Sequence, residues 1–487
     1  MFKASILIAL MAFAATGVQA DKKIVCYFGS WSVYRPGLGN FQVSDIDPRL
    51  CTHMTYTFTG ITTNGDVNIL DPWADLPNGG GKDGFGKFTA LRHLSPGTKA
   101  MVAIGGWNEG SLKYSQVASD PATRARFVQN VVKFLKKYDF DGFDVDWEYP
   151  NQRGGHPYDK KNFVALLKDL REEFDKYGYI LGVAVAAAEG SASQSYIISE
   201  VSKHADLINL MAYDFNGSWN KSTGINAPLY ASASESPGLL KLNIDAAVRY
   251  WLSEGAPPEK LILGVPSYGR SFTLANANDN GIGALATGPG IAGPYTREQG
   301  SLGYNEICAN LREGGWTVVR ESDQRVPYAF KGNQWVGYDD VTSVLEKAKY
   351  INSMGLGGAM MWSVETDDFR GTCGSKYPLL NALNSVLRGN VVVPDPDPNP
   401  SEPTGSTGST GSTESTRSTS TSTEPAPPSD FVCVQEGYVR NPHDCSTFHY
   451  CQKLDDKYLV STFHCPTGLA FDPSIIACNY KDEVSGC

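Results

Sequence analysis

Short apolar runs alternate with longer amphipathic stretches along most of this chain. Eight runs, several of them rich in β-branched or aromatic residues, predict strands at 23–29, 52–60, 99–106, 140–149, 180–187, 206–215, 261–269 and 355–363. Between them, stretches such as PATRARFVQNVVKFLKKY carry apolar residues at helical spacing. Eight strands alternating with helices predict an α/β fold, a (β/α)8 TIM barrel over residues 21–390. A doubly wound open sheet is the alternative, but no GxGxxG motif follows a strand.

The gap between the last two apolar runs is far longer than a βα unit requires. It separates residue 269 from residue 355, and it predicts a small α+β insertion domain at about 270–340. That domain would follow the C-terminal end of a strand, which is the face where barrel enzymes carry their active sites.

The composition changes abruptly after the predicted barrel. Residues 394–430 contain no Val, Ile, Leu, Met, Phe, Trp, Tyr or Cys. Residues 391–430 are therefore predicted to be a Ser/Thr/Pro-rich linker, which cannot bury enough surface to fold. Six of the ten cysteines lie in residues 431–487, which predicts a small disulfide-rich β module. Spacing alone does not choose their pairing, and the absence of a CxxC motif disfavours a metal site.

The first twenty residues predict an export signal. Lys3 precedes the apolar stretch ILIALMAFAA, and the small residue Ala20 marks the expected cleavage site. A buried N-terminal helix is the alternative, but export agrees with the even number of cysteines. No later segment reaches about 18 apolar residues, as a membrane span would require. A net charge of −10 argues against nucleic acid or a membrane surface as the partner, and it suits a neutral substrate.

The stretch FDGFDVDWEYP carries acids at every second position. On a strand, Asp144, Asp146 and Glu148 share one face, which in the barrel model is the interior, with Glu148 nearest the C-terminal rim. A solvated row of acids is the alternative, but large apolar residues between the acids indicate burial. Buried carboxyl groups that repel one another are candidates for acid–base chemistry.

Further polar and aromatic residues fall at the predicted strand ends. The polar ones are Tyr213, Asp214, Tyr268 and Arg270, and the indoles are Trp31, Trp107, Trp219 and Trp362. A single tryptophan more often packs than recognises a ligand, but four on one rim can cover the apolar faces of sugar rings. The pattern therefore predicts a cleft for a neutral polysaccharide.

The motifs resemble those of glycoside hydrolase family 18, in particular animal chitinases. FDGFDVDWEYP resembles the DGxDxDxE signature of that family, and YFGSWSVYRPG, AIGGWN, LMAYDF, GVPSYGRSF and GGAMMWSVETDDF resemble its other motifs in order. The last module, with FHYCQ and CPTGLAFDPSIIAC, resembles a peritrophin-A-type chitin-binding domain. The resemblance implies a secreted, monomeric endochitinase that binds chitin and chitooligosaccharides and needs no cofactor or metal.

Roles for the acids are also implied by the resemblance. Family 18 is an exception to the usual scheme of two enzyme carboxylates, because the acetamido group of the substrate acts as the nucleophile. Glu148 would then be the general acid and base, Asp146 would hold the acetamido N–H, and Asp144 would share a proton with Asp146. Tyr213 would hydrogen-bond the acetamido group. The implied substrate-binding residues are Tyr27, Trp31, Trp107, Met211, Asp214, Trp219, Tyr268, Arg270 and Trp362.

The resemblance further implies five disulfide bonds. They are Cys26–Cys51, Cys308–Cys373, Cys433–Cys451, Cys445–Cys487 and Cys465–Cys478. In the small module, Tyr450, Phe463 and Phe471 are candidates for either sugar stacking or the core.

The chain departs from the family pattern at two positions. Glu365 replaces the usual Asp, and Asn216 stands where His is expected. Asn216 and Asn220 each begin a glycosylation sequon, and Asn220 is the favoured site because a glycan at Asn216 would crowd the cleft. A lectin-like relative that binds chitin without cutting it, and a structural matrix protein, are the alternative functions. The presence of Glu148 disfavours both.

Overall fold

The computed structural model describes residues 22–389 except 234, 236 and 237, and residues 437–486 with gaps at 442–443, 455–456, 466–468, 474–476, 482–483 and 485. The chain divides into two units, residues 1–404 and 405–487. The predicted signal segment, residues 1–20, and the predicted linker, residues 391–430, lie outside the described residues.

The first unit alternates strands and helices. Its described strands are β1 (Lys23–Gly29), β2 (His53–Ile61), β3 (Val67–Ile69), β4 (Lys99–Gly105), β5 (Gly142–Asp146), β6 (Ile180–Ala186), β7 (Leu207–Met211), β8 (Leu261–Pro266), β9 (Tyr268–Leu274), β10 (Ala286–Pro289), β11 (Ser301–Gly303), β12 (Thr317–Glu321), β13 (Val326–Lys331), β14 (Gln334–Gly337) and β15 (Gly358–Trp362). Its described α-helices are α1 (Pro72–Asp75), α2 (Gly84–Ala90), α3 (Leu112–Ser119), α4 (Pro121–Tyr138), α5 (Asp159–Phe174), α6 (Glu189–Ser195), α7 (Ile198–His204), α8 (Ile244–Ser253), α9 (Tyr304–Glu313), α10 (Val341–Ser353) and α11 (Pro378–Leu387).

Eight parallel strands close into a barrel. Their order around it is β1, β15, β8, β7, β6, β5, β4 and β2, and the pairing of β2 with β1 completes the ring. The short strand β3 pairs antiparallel with the end of β2. The predicted (β/α)8 barrel is therefore confirmed, and each of the eight apolar runs contains one barrel strand.

Three predicted strands end three or more residues earlier than their apolar runs. The run 140–149 forms a strand only to Asp146, and the run 206–215 forms one only to Met211. The run 261–269 is divided, because the N–H of Ser267 donates to the carbonyl of Trp362 and its carbonyl accepts from Tyr304. The chain leaves the barrel at that residue.

The insertion lies between β8 and β15. It contains an antiparallel sheet in the order β10, β9, β14, β13, β12, with β11 also paired to β9, and it includes α9. Its strands run from Tyr268 to Gly337, close to the predicted 270–340. Phe272, Tyr328 and Trp335 form part of its separate apolar core.

Local sequence explains where the helices lie. The side chain of Asp120 accepts the N–H of Thr123 and caps the start of α4, and Pro121 occupies its first turn. The helix ends at Asp139, which adopts a left-handed conformation. Apolar residues at helical spacing, from Phe127 to Leu135, face the barrel.

The barrel strands separate two apolar layers. On β1, Ile24 and Phe28 pack outward against the helices, whereas Val25 and Tyr27 belong to a small cluster inside the barrel. This alternation buries both faces of each parallel strand. Burial of each large apolar side chain contributes about 1.5–3 kcal/mol, so the layers supply much of the stability.

Two disulfide bonds join parts of the first unit. Cys26 is bonded to Cys51, and Cys308 is bonded to Cys373. They close sequence separations of 25 and 65 residues, which restricts the unfolded chain.

The second unit consists of short antiparallel strands. They are β16 (Gly437–Arg440), β17 (Thr447–Leu454), β18 (Lys457–His464), β19 (Leu469–Asp472) and β20 (Ala477–Tyr480). Phe471 is buried and stacks on Phe448 at 4.2 Å, so it belongs to the core and not to a sugar-stacking surface. Cys445, Cys451 and Cys465 are disulfide-bonded, but each predicted pair includes a partner whose side chain lies outside the described part. The side chains of Tyr450 and Phe463 lie outside it too.

None of the described helices has the length and apolar character that spanning a membrane requires.

Replacing Lys347 with Met tests a buried ion pair at the start of α10. Lys347 Nζ lies 2.5 Å from Asp339 Oδ1, and both side chains are almost completely buried. Because the change leaves Asp339 buried without its partner, we expect the free energy of unfolding to fall by about 3–5 kcal/mol in urea denaturation. Lys349→Met on the same helix removes an exposed pair with Glu346 and should have little effect. Equal losses in both variants would contradict this assignment.

Candidate active site

The three acids lie at the C-terminal end of β5. Asp144 and Asp146 belong to the strand and are buried, whereas Glu148 lies two residues beyond its end and is half-buried. The expectation that all three share one strand is therefore wrong for Glu148. The pairing of β5 with β6 ends at Val145, so the chain is free to turn at the rim. Between the acids, Trp147 faces outward and packs on Tyr114 and Phe163.

Asp144 is held by hydrogen bonds that cross the barrel interior from β1 and β7, neither of which pairs with β5. Tyr27 Oη donates to Asp144 Oδ2 at 2.7 Å, and Asn209 Nδ2 donates to Asp144 Oδ1 at 3.0 Å. Asn209 Nδ2 also lies 2.9 Å from Tyr27 Oη, which closes a triangle of polar groups inside the barrel. Gly182 on β6 makes room for this carboxyl, because a Cβ there would lie 2.3 Å from Asp144 Oδ1.

The acids differ in their electrostatic surroundings. Burial raises the pKa of Asp144 to about 6, although its hydrogen bonds from Tyr27 and Asn209 oppose the rise. Burial, and then the charges of Glu148 and Asp144, raise the pKa of Asp146 well above its usual range. Burial raises the pKa of Glu148 to about 7, although a hydrogen bond with Tyr149 and the positive charge of Arg153 oppose the rise. Protons are therefore retained in the row at a pH where isolated carboxyls are ionised.

Asp146 has an oxygen that is available to a ligand. Its Oδ1 is buried and has no hydrogen-bond partner among the described residues. A buried acceptor without a partner is costly, so a donor from a bound substrate would be favoured there. The sharing of a proton between Asp144 and Asp146 stays a prediction.

Tyr213 and Asp214 follow β7 and lie beside a pair of residues from the insertion. Tyr268 Oη donates to Asp214 Oδ1 at 2.6 Å, and Arg270 donates to both Asp214 oxygens at 2.7 and 2.6 Å. The ring of Tyr213 packs edge-on against Tyr268, with centroids 6.1 Å apart. Met211 ends β7 and is half-buried. The predicted contacts of these residues with sugars stay predictions, but the structure brings them together.

One group of aromatic residues lies where β1 and β15 end. The Trp362 ring contacts Tyr27, Trp31 and Phe58 at centroid distances of 5.7, 6.2 and 5.8 Å. Trp31 is 41% exposed and stacks on Phe58. Tyr27 is buried beneath this group, and its predicted contact with substrate stays a prediction.

The other two tryptophans are exposed at the rim, and each carries an arginine against its ring. Trp107 and Trp219 are both 58% exposed. The guanidinium of Arg153 lies 3.5 Å from the Trp107 centroid, and that of Arg270 lies 5.2 Å from the Trp219 centroid. A planar cation on one face leaves the other face of the indole for a ligand.

Sequence reasoning missed Asn209, Phe58 and Arg153. Asn209 left a signal, since a polar residue interrupts the apolar run DLINLM at a position that faces the interior. Phe58 cannot be distinguished from a core residue by sequence alone. Arg153 lies in a loop whose path depends on tertiary contacts.

The departures from the family pattern have structural consequences. Glu365 is buried, accepts the N–H of Gly29 and the hydroxyl of Ser363, and lies 3.7 Å from Arg35, so it joins the ends of β1 and β15. Asn216 is buried, and its Nδ2 donates to the carbonyl of Ile225.

Glycosylation at Asn220 stays a prediction. Asn220 is half-buried, and its Nδ2 donates to Asn216 Oδ1.

One cluster of potential metal ligands occurs among the described residues, and it is not a metal site. It consists of Cys308, Asp368 and Cys373. The two sulfurs form a disulfide bond, and Asp368 accepts backbone N–H groups from Thr372 and Cys373. The cluster offers no thiolate.

Family models match both units of the chain. The model for "Glycosyl hydrolases family 18" matches residues 23–367, and the model for "Chitin binding Peritrophin-A domain" matches residues 433–487.

Curated relatives and solved structures agree with these matches. "Probable chitinase 2" of Drosophila melanogaster is 42% identical over 80% of this chain and 86% of its own, and "Endochitinase" of Manduca sexta is 42% identical over 80% of this chain and 72% of its own. The crystal structure of an Ostrinia furnacalis Group IV chitinase in complex with allosamidin is 48% identical, with TM-score 0.74, and the match covers 76% of this chain and 99% of the other. Human YKL-39, described as a pseudo-chitinase with retained chitooligosaccharide binding, is 38% identical, with TM-score 0.70, and the match covers 75% of this chain and 100% of the other.

Replacing Gly182 with Ala tests the placement of Asp144. The new methyl group would force the Asp144 carboxyl away from Tyr27 and Asn209. We expect turnover of a fluorogenic chitooligosaccharide to fall by roughly a hundredfold, the scale of loss that a misplaced catalytic constellation produces. The matched control is Gly190→Ala in α6, where a Cβ meets nothing within 4 Å. Turnover equal to that of the control would show that Asp144 tolerates displacement.

Proposed function

The chain belongs to glycosyl hydrolases family 18 and is an endochitinase, and we propose that it hydrolyses β-1,4 bonds between N-acetylglucosamine units by a retaining, substrate-assisted mechanism. Glu148 acts as the general acid and then as the general base. The observation that carries this proposal is a rim carboxyl, Glu148, whose pKa burial raises to about 7. A carboxyl of that kind remains protonated near neutral pH and can donate its proton to a leaving group.

The first chemical step breaks the glycosidic bond. Glu148 gives its proton to the glycosidic oxygen, and the acetamido oxygen of the sugar on the non-reducing side of that bond attacks its own anomeric carbon. The C–O bond to the leaving sugar breaks, and a cyclic oxazolinium ion forms. The unpartnered Oδ1 of Asp146 accepts the acetamido N–H, and the proton shared with Asp144 moves to Asp144, so that ionised Asp146 offsets the positive charge.

The second step opens the oxazolinium ion with water. Ionised Glu148 takes a proton from the water, whose oxygen bonds to the anomeric carbon as the ring bond breaks. Two displacements at the same carbon retain the anomeric configuration. Tyr213 holds the acetamido group, and Trp362 forms the floor beneath the reacting sugar.

The rest of the rim binds neighbouring sugars in this proposal. Trp31, Trp107 and Trp219 have exposed rings, which suit the apolar faces of pyranose rings. Asp214 and Arg270 are paired with each other, so they present a fixed set of acceptors and donors to sugar hydroxyls. Met211 is the half-buried residue of the deeper part of the site in this proposal, and the buried Tyr27 and Tyr268 would reach the substrate only through their hydroxyl groups.

A chitin-binding protein without hydrolytic activity is the second candidate function. The similarity to the YKL-39 pseudo-chitinase favours it, since that protein shares the fold at comparable identity. The intact row of Asp144, Asp146 and Glu148 favours hydrolysis.

The second unit extends this function to solid substrate. It matches a chitin-binding domain, and it follows a segment whose composition predicts a flexible linker. The predicted export signal and the disulfide bonds support secretion of the enzyme, and we propose that it acts outside the cell as a monomer.

Replacing Glu148 with Gln tests the role of the general acid. The amide cannot donate an acidic proton, so turnover of a fluorogenic chitooligosaccharide should fall at least about a hundredfold. Glu254→Gln, a change of an exposed acid after α8, should leave turnover as in the wild type. Initial products analysed by NMR should show the retained anomer. Inverted products, or full activity of the Gln variant, would exclude the mechanism.

Removal of residues from Pro394 onward tests the contribution of the second unit. Hydrolysis of short soluble oligomers should change little, because the acids and the rim belong to the first unit. Hydrolysis of solid chitin should fall severalfold, since the tether no longer raises the local concentration of the barrel at the surface. Both substrates should be assayed with the same preparation. Equal losses on both would show that the two units do not act in the proposed way.

A further inference from the structure

Arg153 links the turn that carries Trp107 to the segment that carries Glu148. Its Nη1 donates to the carbonyl of Trp107 at 2.7 Å and to the carbonyl of Glu148 at 3.1 Å. Its guanidinium lies 3.5 Å from the centroid of the Trp107 ring. A single side chain therefore contacts the backbone of both segments and one face of the indole.

The loop that carries Arg153 is fixed from several sides. The buried Asp159 accepts the N–H of His156 at 2.7 Å and the hydroxyl of Ser115 at 2.6 Å. The Gln152 amide donates to Ser195, whose hydroxyl in turn donates to the carbonyl of Pro150. These contacts hold Arg153 at a positive φ of 50°, which is unfavourable for a residue other than glycine.

The Trp107 turn is fixed less firmly without Arg153. Gly105 and Gly106, both at positive φ, lead into it, and the N–H of Gly106 donates to the carbonyl of Asp146. At the other end of the turn, Glu109 accepts the N–H of Ile61, but the indole itself is 58% exposed and carries Arg153 against one face. An exposed indole without such a brace can change its rotamer, and the loss of that freedom opposes ligand binding.

Arg153 also carries a positive charge near Glu148, unlike the other groups that interact electrostatically with that acid. The titratable and charged groups that act on or are acted on by Glu148 are Asp146, Tyr149, Arg153, Tyr196, Tyr213 and Asp214. Arg153 is the cation in this set, and Arg270, the nearest partner of Asp214, is engaged with that carboxylate. Removing the charge of Arg153 leaves Glu148 among acids and phenols.

We propose that Arg153 is a positioning residue that braces Trp107 as a sugar platform and supplies the positive charge beside Glu148. This inference rests on the proposed function, because it assumes that Glu148 is the acid and that Trp107 binds sugar. The planar shape of the guanidinium holds the Trp107 ring in place, and its positive charge lowers the pKa of Glu148. Two substitutions separate these properties.

Arg153→Lys keeps the charge but loses the planar guanidinium that lies against the Trp107 ring. We expect KM for a chitooligosaccharide long enough to reach Trp107 to rise about fivefold, the effect of losing one stacking contact and one hydrogen bond. The basic limb of the pH profile of kcat/KM should stay in place.

Arg153→Gln keeps a planar group that can donate a hydrogen bond but loses the charge. The basic limb should move to higher pH, because the cation no longer lowers the pKa of Glu148 and the acid keeps its proton longer. The rise in KM should be smaller than in Arg153→Lys.

Controls make the outcomes distinguishable. Arg126→Gln removes an exposed arginine on α4 and should change neither KM nor the pH profile, and the Tm of each variant reports folding. If both Arg153 variants match the wild type, or if both change KM and the pH limb in parallel, the proposal is overturned. An active Glu148→Gln variant would instead overturn the proposed function.

Discussion

The site depends on placing three carboxyl groups in close succession at the mouth of a barrel, two of them buried and the outermost half-buried. Desolvation disfavours their charged forms, and the charges of Glu148 and Asp144 further raise the pKa of Asp146, so the row retains protons near neutral pH. Tyr27 and Asn209 satisfy Asp144, the deepest acid, with two hydrogen bonds. The outermost acid, Glu148, is the one that a ligand in the cleft can reach. The burial that makes the row costly is therefore also what prepares a proton for transfer.

The barrel compensates for this burial because successive side chains on each strand point alternately inward and outward. On β5, Phe143 and Val145 alternate with Asp144 and Asp146 and pack outward into the apolar layer under the helices. Their burial offsets part of the cost of the inward carboxyls. The neighbouring strand contributes Gly182, which leaves the space that Asp144 fills. The position of Asp144, the deepest acid, therefore depends on the missing side chain of Gly182 on β6 as well as on its own strand.

Much of the architecture could be predicted from the sequence, because hydrophobic periodicity reports directly on burial. The ends of strands could not, since a strand ends where its neighbours stop pairing. Residues 140–149 look like one continuous strand, yet the pairing of β5 with β6 stops at Val145. The alternation of the acids and the positions of the tryptophans at predicted strand ends pointed to the site, and the resemblance to a family implied the roles of these residues. It gave no indication of Asn209 or Arg153, whose importance lies in contacts with residues far away in the sequence.

The two exposed tryptophans show a common arrangement on separate loops. Trp107 is backed by Arg153, which also contacts the backbone of Glu148, and Trp219 is backed by Arg270, which also grips Asp214. In both cases the arginine that covers one face of the indole is itself held near the acids, by the carbonyl of Glu148 for Arg153 and by the carboxylate of Asp214 for Arg270. An indole held in this way loses little freedom when a sugar covers its open face, so more of the contact energy remains available for binding. The same two arginines therefore serve both the placement of the sugar platforms and the electrostatics of the acids, the first through their planar shape and the second through their charge.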